Sequence, residues 1–466
     1  MFSLTNSKSR LQSLRELSKR VERIKSNVEK KTKIRVPDDL IEFATMLGYP
    51  PTEYQKKFIE NFLAHRWIAL CWSRQSGKTQ IVSIALLWYA IKHNEVHIAI
   101  IGPSWRQTKR IIQVINNLLR RLGYRNVQKT KVVLPNGSVI EAFPNNPDTI
   151  RGYAFHIVYF DEMNFVRNDE EMYDAIIFTL NTTNGKFIAS STPGRKDSVF
   201  YRIFNDKAFE KFVRHRVTWH DALEPKGPLK IETVEDIKNQ YAGDIWRWQR
   251  EMEAVWVEDA DSYFPMSLIT KCIDSELDYA DFDMWLQGEF YIGCDLGKKL
   301  DYSVVAVVER ACDKDGKERL KLIHMHRFPL ETPYASVIGY IKTLTDRYKT
   351  VHKILIDQTG VGEYVVEDMK NAGIPNTEGI ILTMQRKQEI LGHMRQQMQN
   401  DVLRIPYDAD LIAEINIEKF ELTKEGQIKF SHPEGTHDDR LWALALAVYA
   451  ASQSPGKIKA VSGKVW

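Results

Sequence analysis

The sequence predicts two α/β domains in series, and three observations predict it. Apolar strands and helical segments alternate from Trp67 to Pro193. From Glu289 three strands follow one another and then alternate with helices to about Ala451. In both stretches the buried strands end in carboxylates or in a glycine-containing loop, the residue types that carry chemistry at a sheet edge. With 466 residues the chain has room for two to three domains. Its 43% hydrophobic and 27% charged composition excludes a disordered, collagenous or coiled-coil chain.

Taken in order, residues 1–35 hold 11 Lys/Arg against three Glu, with Leu11, Leu14, Leu17, Val21, Ile24 and Val28 at helical spacing. They predict a basic amphipathic segment. Its charged face is either solvated, the plainer reading, or set against DNA or another subunit. Pro37 and Asp38-Asp39 close it. WIALCW (67–72) reads as a buried strand, Lys78 to Ile91 as a helix, HIAIIGPS (97–104) as a second strand and Trp105 to Leu122 as a helix stopped at Gly123. KVVLPNGSVIEAF is a hairpin turning at Asn136-Gly137. HIVYF (156–160) and KFIASS (186–191) are further strands of a mostly parallel sheet with helices on both faces.

Residues 241–287 read as helix and connection. Then come FYIGCDL, SVVAVVER and RLKLIHMH, the last two joined at DKDGK. A helix (334–349), a strand (353–357), a helix (362–371), a strand (379–383), more helices and a final helix (438–451) follow. The domain reading is 1–35 basic segment, 36–258 first domain, 259–287 connection, 288–452 second domain and 453–466 tail. No run approaches 18 apolar residues and the N-terminus has no apolar core, so the expectation is a protein outside the membrane, in a cytosol. Cys71, Cys272, Cys294 and Cys312 form no CxxC pair, which excludes a zinc ribbon or disulfide scaffold. The net charge of +4 is too mild to name a nucleic-acid partner.

Ser73-Arg74-Gln75-Ser76-Gly77-Lys78-Thr79 follows a buried strand and opens a helix, the setting of a phosphate-binding loop. Backbone amides there hold phosphate oxygens, Lys78 reaches the β- and γ-phosphates of ATP, and Thr79 gives a hydroxyl to Mg²⁺. Trp72 stands where the strict motif has its first glycine. HIVYFDE ends a strand in Asp161, placed for Mg²⁺, and Glu162, placed to polarise the attacking water. Ser191, Thr192 and Pro193 end a later strand and can sense loss of the γ-phosphate. Gln55 lies where helicase-like ATPases recognise adenine. Arg74 is either a charge-stabilising finger or a structural residue.

In the second stretch Asp295 ends one strand, Asp301 precedes the next, Asp357 ends another, and Asp438-Asp439 open an apolar helix. Convergent carboxylates bind two Mg²⁺ or Mn²⁺ ions and support in-line phosphodiester hydrolysis. The strand order fits an RNase H-like fold. Each acid also has a plain reading: Asp438 as a helix N-cap, Asp295 and Asp301 as turn residues. DKDGK starts like a calcium loop, yet neither His324 nor Met325 supplies the closing carboxylate, so it is a turn.

On these motifs the chain resembles the large terminase subunit of tailed bacteriophages over nearly its whole length. The loop without its first glycine but with Arg-Gln, the adjacent Asp-Glu, the Ser-Thr-Pro segment and the Asp-Asp pair carry the resemblance. It implies an N-terminal RecA/P-loop-type ATPase domain and a C-terminal RNase H-like nuclease domain. It implies an ATP-driven motor that moves double-stranded DNA into a procapsid and cuts concatemeric DNA. It implies Lys78 and Thr79 on nucleotide and Mg²⁺, Asp161 on Mg²⁺, Glu162 as catalytic carboxylate, and Asp295, Asp357 and one or both of Asp438 and Asp439 on the nuclease metals. Asp357 is shorter than the Glu some members carry there. The partners implied are a portal protein, a small terminase subunit and a homo-oligomeric ring of five, with a monomeric isolated chain and the host-cell cytoplasm as location. A helicase would need a second phosphate-loop sheet after Pro193, and a degenerate scaffold would lack acids that are present here.

Overall fold

The computed structural model describes residues 36–453 apart from 125–127, 242–243, 260, 298–300, 360–363, 423–427 and 434. The expected basic segment 1–35 lies outside the described residues, as does the expected tail beyond Gln453, which ends the last helix. Asp39 opens structure rather than closing it: its carboxylate accepts from the Glu42 amide at 2.8 Å and caps the helix Leu40–Met46.

Two sheets organise the chain. The first has seven strands in the order β3-β4-β2-β5-β6-β1-β7. They are β1 Trp67–Trp72, β2 His97–Ile101, β3 Lys131–Val133, β4 Val139–Ala142, β5 Ile157–Phe160, β6 Lys186–Ser191 and β7 Val213–Val217. All neighbours are parallel except the β3–β4 hairpin. Alternate side chains enter different cores, as period two demands. Ile68, Leu70, Ile98, Ile100, Tyr159 and Ile188 pack against the helices Lys78–Lys92 and Trp105–Arg121. Ala69, Cys71, Ala99, Ile101, Val158 and Phe160 face the helices Asp169–Asn181 and Val199–Asn205.

The edge strand β7 is absent from the sequence reading. Its VRHRV pattern carries Arg214 and Arg216 on an exposed face, which hides the strand signal. The second expected strand is shorter than read, because Ser104 leaves it to cap the helix Trp105–Arg121.

The second sheet runs β12-β11-β8-β9-β10-β13. Its strands are β8 Leu286–Asp295, β9 Val304–Cys312, β10 Glu318–Arg327, β11 Tyr348–Asp357, β12 Thr377–Ile380 and β13 Leu403–Arg404. The first three are antiparallel, and β11 runs parallel to β8. A separate hairpin joins β14 Lys419–Leu422 to β15 Ile428–Ser431. The strand expected at 353–357 begins at Tyr348, directly after the helix Tyr334–Arg347, and the one expected at 379–383 is Thr377–Ile380. DKDGK is the β9–β10 turn, with the Asp313 carboxylate accepting from the Asp315 and Lys317 amides.

The helix Asp439–Gln453 lies across one face of this sheet, buried along almost its whole length. Its apolar all-round sequence, LWALALAVYAA, suits such a setting. Gly293 on β8 lets the two backbones meet. A Cβ there would sit 2.1 Å from the Ala443 carbonyl oxygen and 2.3 Å from the Ala447 nitrogen. Gly293→Ala is therefore expected to destabilise the protein by about 1–3 kcal/mol through overpacking. Gly339→Ala, in an open position of the helix Tyr334–Arg347, is expected to stabilise it by about 0.5–1 kcal/mol. Calorimetric melting of the two variants checks the pair; equal melting temperatures would contradict the contact.

Candidate active sites

The first site forms where β1, β6 and β5 end side by side. Trp72 continues β1, and its buried indole packs edge-on against Tyr54 at 5.1 Å and His215 at 5.2 Å. The chain turns only after it. The Ser73 amide still bonds the Val217 carbonyl at 2.8 Å, and the Ser76 hydroxyl closes the loop on the Ser73 carbonyl at 2.7 Å. Gln75 and Gly77 take left-handed backbone conformations, with φ of 58° and 77°. Gln55 is held against this loop: its amide nitrogen donates to the Ser76 carbonyl at 3.4 Å and its oxygen accepts from the Thr52 amide at 3.1 Å.

Lys78 is buried at the start of its helix. Its ammonium donates to Glu162 Oε1 at 2.9 Å and lies 3.9 Å from Asp161 Oδ1. Burial alone would discharge this lysine, but Glu162 and Asp161 reverse that and hold its pKa above the ordinary value. Burial likewise works to raise Glu162, and is overcome by Lys78 and by hydrogen bonds from Thr192 and Ser191, so Glu162 stays ionised. Asp161 goes the other way: burial dominates and raises it, helped by Glu162. Glu162 sits at φ 48°, a left-handed turn that aims its carboxylate back over the loop.

Strand β6 lies between the two motif strands and touches both acids. Ser190 donates to Asp161 Oδ1 at 2.7 Å, Ser191 to Glu162 Oε2 at 3.1 Å, and the Thr192 amide to Glu162 Oε2 at 3.2 Å. Pro193 follows on the same strand exit. Arg74 is tied to Glu251 by its guanidinium and, through its backbone amide, to the Glu251 carbonyl at 2.8 Å. Thr79, Asp161, Glu162 and Arg74 line one cleft of about 460 Å³. Sequence reasoning missed its other walls. Arg106 and Arg110 come from the helix Trp105–Arg121, and Tyr279, Tyr407 and Asp408 come from the second half of the chain.

The second site gathers the acids named from the second stretch of the sequence. Ile356 pairs with Cys294, so Asp357 and Asp295 leave adjacent strands side by side. Asp295, Asp301, Asp357, Asp438 and Asp439 line one cleft of about 470 Å³. The pair at the helix start divides its work. Asp438 accepts from the Trp442 indole at 2.7 Å. Asp439 is buried, and its Oδ2 has no hydrogen-bond partner among the described residues; His437 Nδ1 stands 3.7 Å away. Asp301 is exposed, 3.9 Å from the same His437 nitrogen. Oxygens of Asp301 and Asp439 and a nitrogen of His437 all lie within 4.8 Å of one another.

The electrostatics are one-sided. Burial raises Asp295 well above the ordinary range, and Asp439, Asp357, Asp438 and Asp301 push it further. Burial raises Asp439 to about 7, again with Asp438 and Asp301 adding to it. Glu418, which the sequence reading did not single out, is buried in the same cleft and raised by burial to about 8. An orphaned buried carboxylate oxygen amid mutually repelling acids fits a divalent cation held by oxygen ligands. A cation there would relieve the repulsion and, when bound, supplies an activated water and stabilises a leaving oxygen.

Comparison with known proteins agrees with both halves. Residues 70–271 match the family described as terminase large subunit, T4likevirus-type, N-terminal, and residues 292–451 match the terminase RNaseH-like domain. The large terminase subunit of Thermus virus P23-45 is 23% identical over 89% of this chain and 90% of its own length. A probable terminase ATPase subunit of Haemophilus phage HP1 is 23% identical over 91% of this chain and 75% of its own. The crystal structure of the large terminase of bacteriophage HK97 aligns at 15% identity over 87% of this chain and 96% of its own, with a TM-score of 0.38. With one model on each half, and relatives matched along most of both chains, the chain belongs to the family of phage large terminase subunits.

Proposed function

We propose that the chain hydrolyses ATP to drive double-stranded viral DNA through a portal into a procapsid, and cuts concatemeric DNA at the start and end of packaging. The observation that carries this reading is the presence, in one chain of this family, of two separate acid-ended sheets. One sets carboxylates against a loop lysine, and the other gathers carboxylates that repel one another. In the first site Lys78 and the loop amides of 73–79 hold the phosphates, and Thr79 and Asp161 hold Mg²⁺. Glu162 orients the attacking water. Its bond to Lys78 is a resting contact that nucleotide would replace. Ser191, Thr192 and Pro193 relay phosphate loss, because Ser191 and Thr192 bond directly to Glu162. Arg74 must leave Glu251 to reach the transferred phosphoryl group.

In the second site Asp295, Asp357 and Asp439 would hold two Mg²⁺ or Mn²⁺ ions, with Asp301 and Asp438 beside them in the same cleft. Asp439 is preferred over Asp438, whose Oδ2 is spent on Trp442. The working form is a ring of five on the portal with a small terminase subunit, in the host-cell cytoplasm. No helix among the described residues is long and apolar enough to cross a membrane.

Lys78→Ala and Glu162→Gln are expected to abolish ATP hydrolysis while sparing metal-dependent cutting of plasmid by the purified chain. Loss of cutting in Lys78→Ala would join what the structure separates into two sheets. Asp295→Asn and Asp439→Asn are expected to lower plasmid cutting by orders of magnitude and to leave ATPase intact. Retained cutting by either variant would remove that residue from the ligand set.

The raised carboxylates also set a pH dependence. Asp439 titrates near 3.9 unfolded and at about 7 folded, so the folded state holds the extra proton between those values. The contribution of Asp439 to the stability of the metal-free protein is thus greatest below about pH 4 and is lost as pH rises through about 7. Mn²⁺ competes with that proton. The melting temperature is expected to rise on Mn²⁺ addition more at pH 8 than at pH 5, and less in Asp439→Asn. A metal-induced shift independent of pH would contradict the site.

A further inference from the structure

We propose that the exposed face of the helix Trp105–Arg121, with Lys129 beside it, is the track on which the phosphate backbone of duplex DNA lies. The proposal rests on the reading of the chain as a DNA-translocating motor and names the surface that reading leaves unassigned.

The helix has two unlike faces. Ile111, Ile112, Ile115, Leu118 and Leu119 are buried against the first sheet. The other face carries Arg106, Lys109, Arg110 and Arg120, and the sequence WRQTKRIIQVINNLLRR contains no Asp or Glu at all. Surface helices ordinarily lace cations with acids three or four residues away. The whole chain follows that habit, with 65 basic residues against 61 acidic. This helix departs from it.

These four cations and Lys129 line one groove, and Asp278 is the lone carboxylate among its described walls. Asp278 stands 3.9 Å from Arg106, with both side chains about half exposed, too weak a pair to neutralise the strip. Arg120 is held by the neutral Asn117 at 3.2 Å.

The chemistry selects the backbone of a duplex. At about 1.5 Å per residue the helix spans roughly 25 Å, long enough to follow several phosphates. Between the cations stand Gln113 and Asn117, exposed amides that also donate to phosphate. The only aromatic on the helix, Trp105, is half-buried under Lys109, whose ammonium lies 5.1 Å from the ring, so the face offers no stacking platform for unpaired bases.

The position also suits a motor. Gln107 on the same helix donates to Asp161 Oδ2 at 3.3 Å, and Arg106 and Arg110 line the nucleotide cleft as well as the groove. A change at Asp161 on nucleotide turnover is one hydrogen bond from the proposed track.

The test is filter binding of the full chain to duplex DNA in EDTA, across a salt series. Each phosphate contact contributes about 0.9 to the slope of log affinity against log salt. The triple variant Lys109→Gln, Arg120→Gln, Lys129→Gln is expected to lower that slope by about 2–3. Three matched exposed lysines of the second half, Lys314, Lys317 and Lys370, changed to Gln, are expected to leave it unchanged. The charge-keeping variant Lys109→Arg, Arg120→Lys, Lys129→Arg is expected to retain it. An unchanged slope in the first variant, an equal fall in the matched control, or loss in the charge-keeping variant overturns the track. A native chain that binds no duplex DNA at low salt overturns the translocation reading itself.

Discussion

A buried carboxylate costs several kcal/mol unless a cation or a set of donors accompanies it. Both sites of this chain are organised around that cost, and they meet it in opposite ways. Asp161 and Glu162 receive an ammonium, serine hydroxyls and a backbone amide from their own chain. Asp295, Asp439 and Glu418 are raised by burial and by their acidic neighbours, and that repulsion is left standing in the fold. In the first, donors from the chain itself hold Glu162 ionised. The second is incomplete and calls for a cation.

The two sheets supply the geometry that makes each solution possible. In the first, the interposed strand β6 puts hydroxyl donors between the loop strand and the acid strand, so neither acid is left to lysine alone. In the second, parallel pairing of β8 and β11 sets two acids side by side, and the close approach at Gly293 presses the helix bearing the third onto the same edge. The halves also meet: Arg247 pairs with Asp410, Arg250 donates to Asn416 at 2.8 Å, and Tyr407 reaches the cleft lined by Thr79 and Asp161.

Much of this was legible in the sequence, because the informative residues are local breaks of pattern. Acids at the tips of apolar strands, and a glycine between a strand and a helix, announce themselves within a few positions. Strand order implies that three or four of these acids converge, and the cleft holds all five. What was not legible depends on distant contact. The alternation of VRHRV is masked by charge on its exposed face, so β7 does not stand out as a strand. Glu418 is isolated in sequence and becomes a cleft residue only when Tyr263 and the β14–β15 hairpin settle around it. The division of labour between Asp438 and Asp439 turns on one indole nitrogen a helical turn away.

The sheet order carries a consequence for the making of the protein. Strand β1 leaves the ribosome before any other strand of its sheet, yet its two neighbours are β6 and β7. Until residues 186–217 have emerged, a fully apolar strand has both edges unpaired, while β2, β4 and β5 can already zip together without it. Nascent chains in that state expose the edges from which misassembly starts. The strand that leads into the 73–79 loop is therefore the first made and among the last enclosed, and its folding waits on β6, whose Ser191 bonds Glu162 in the finished site.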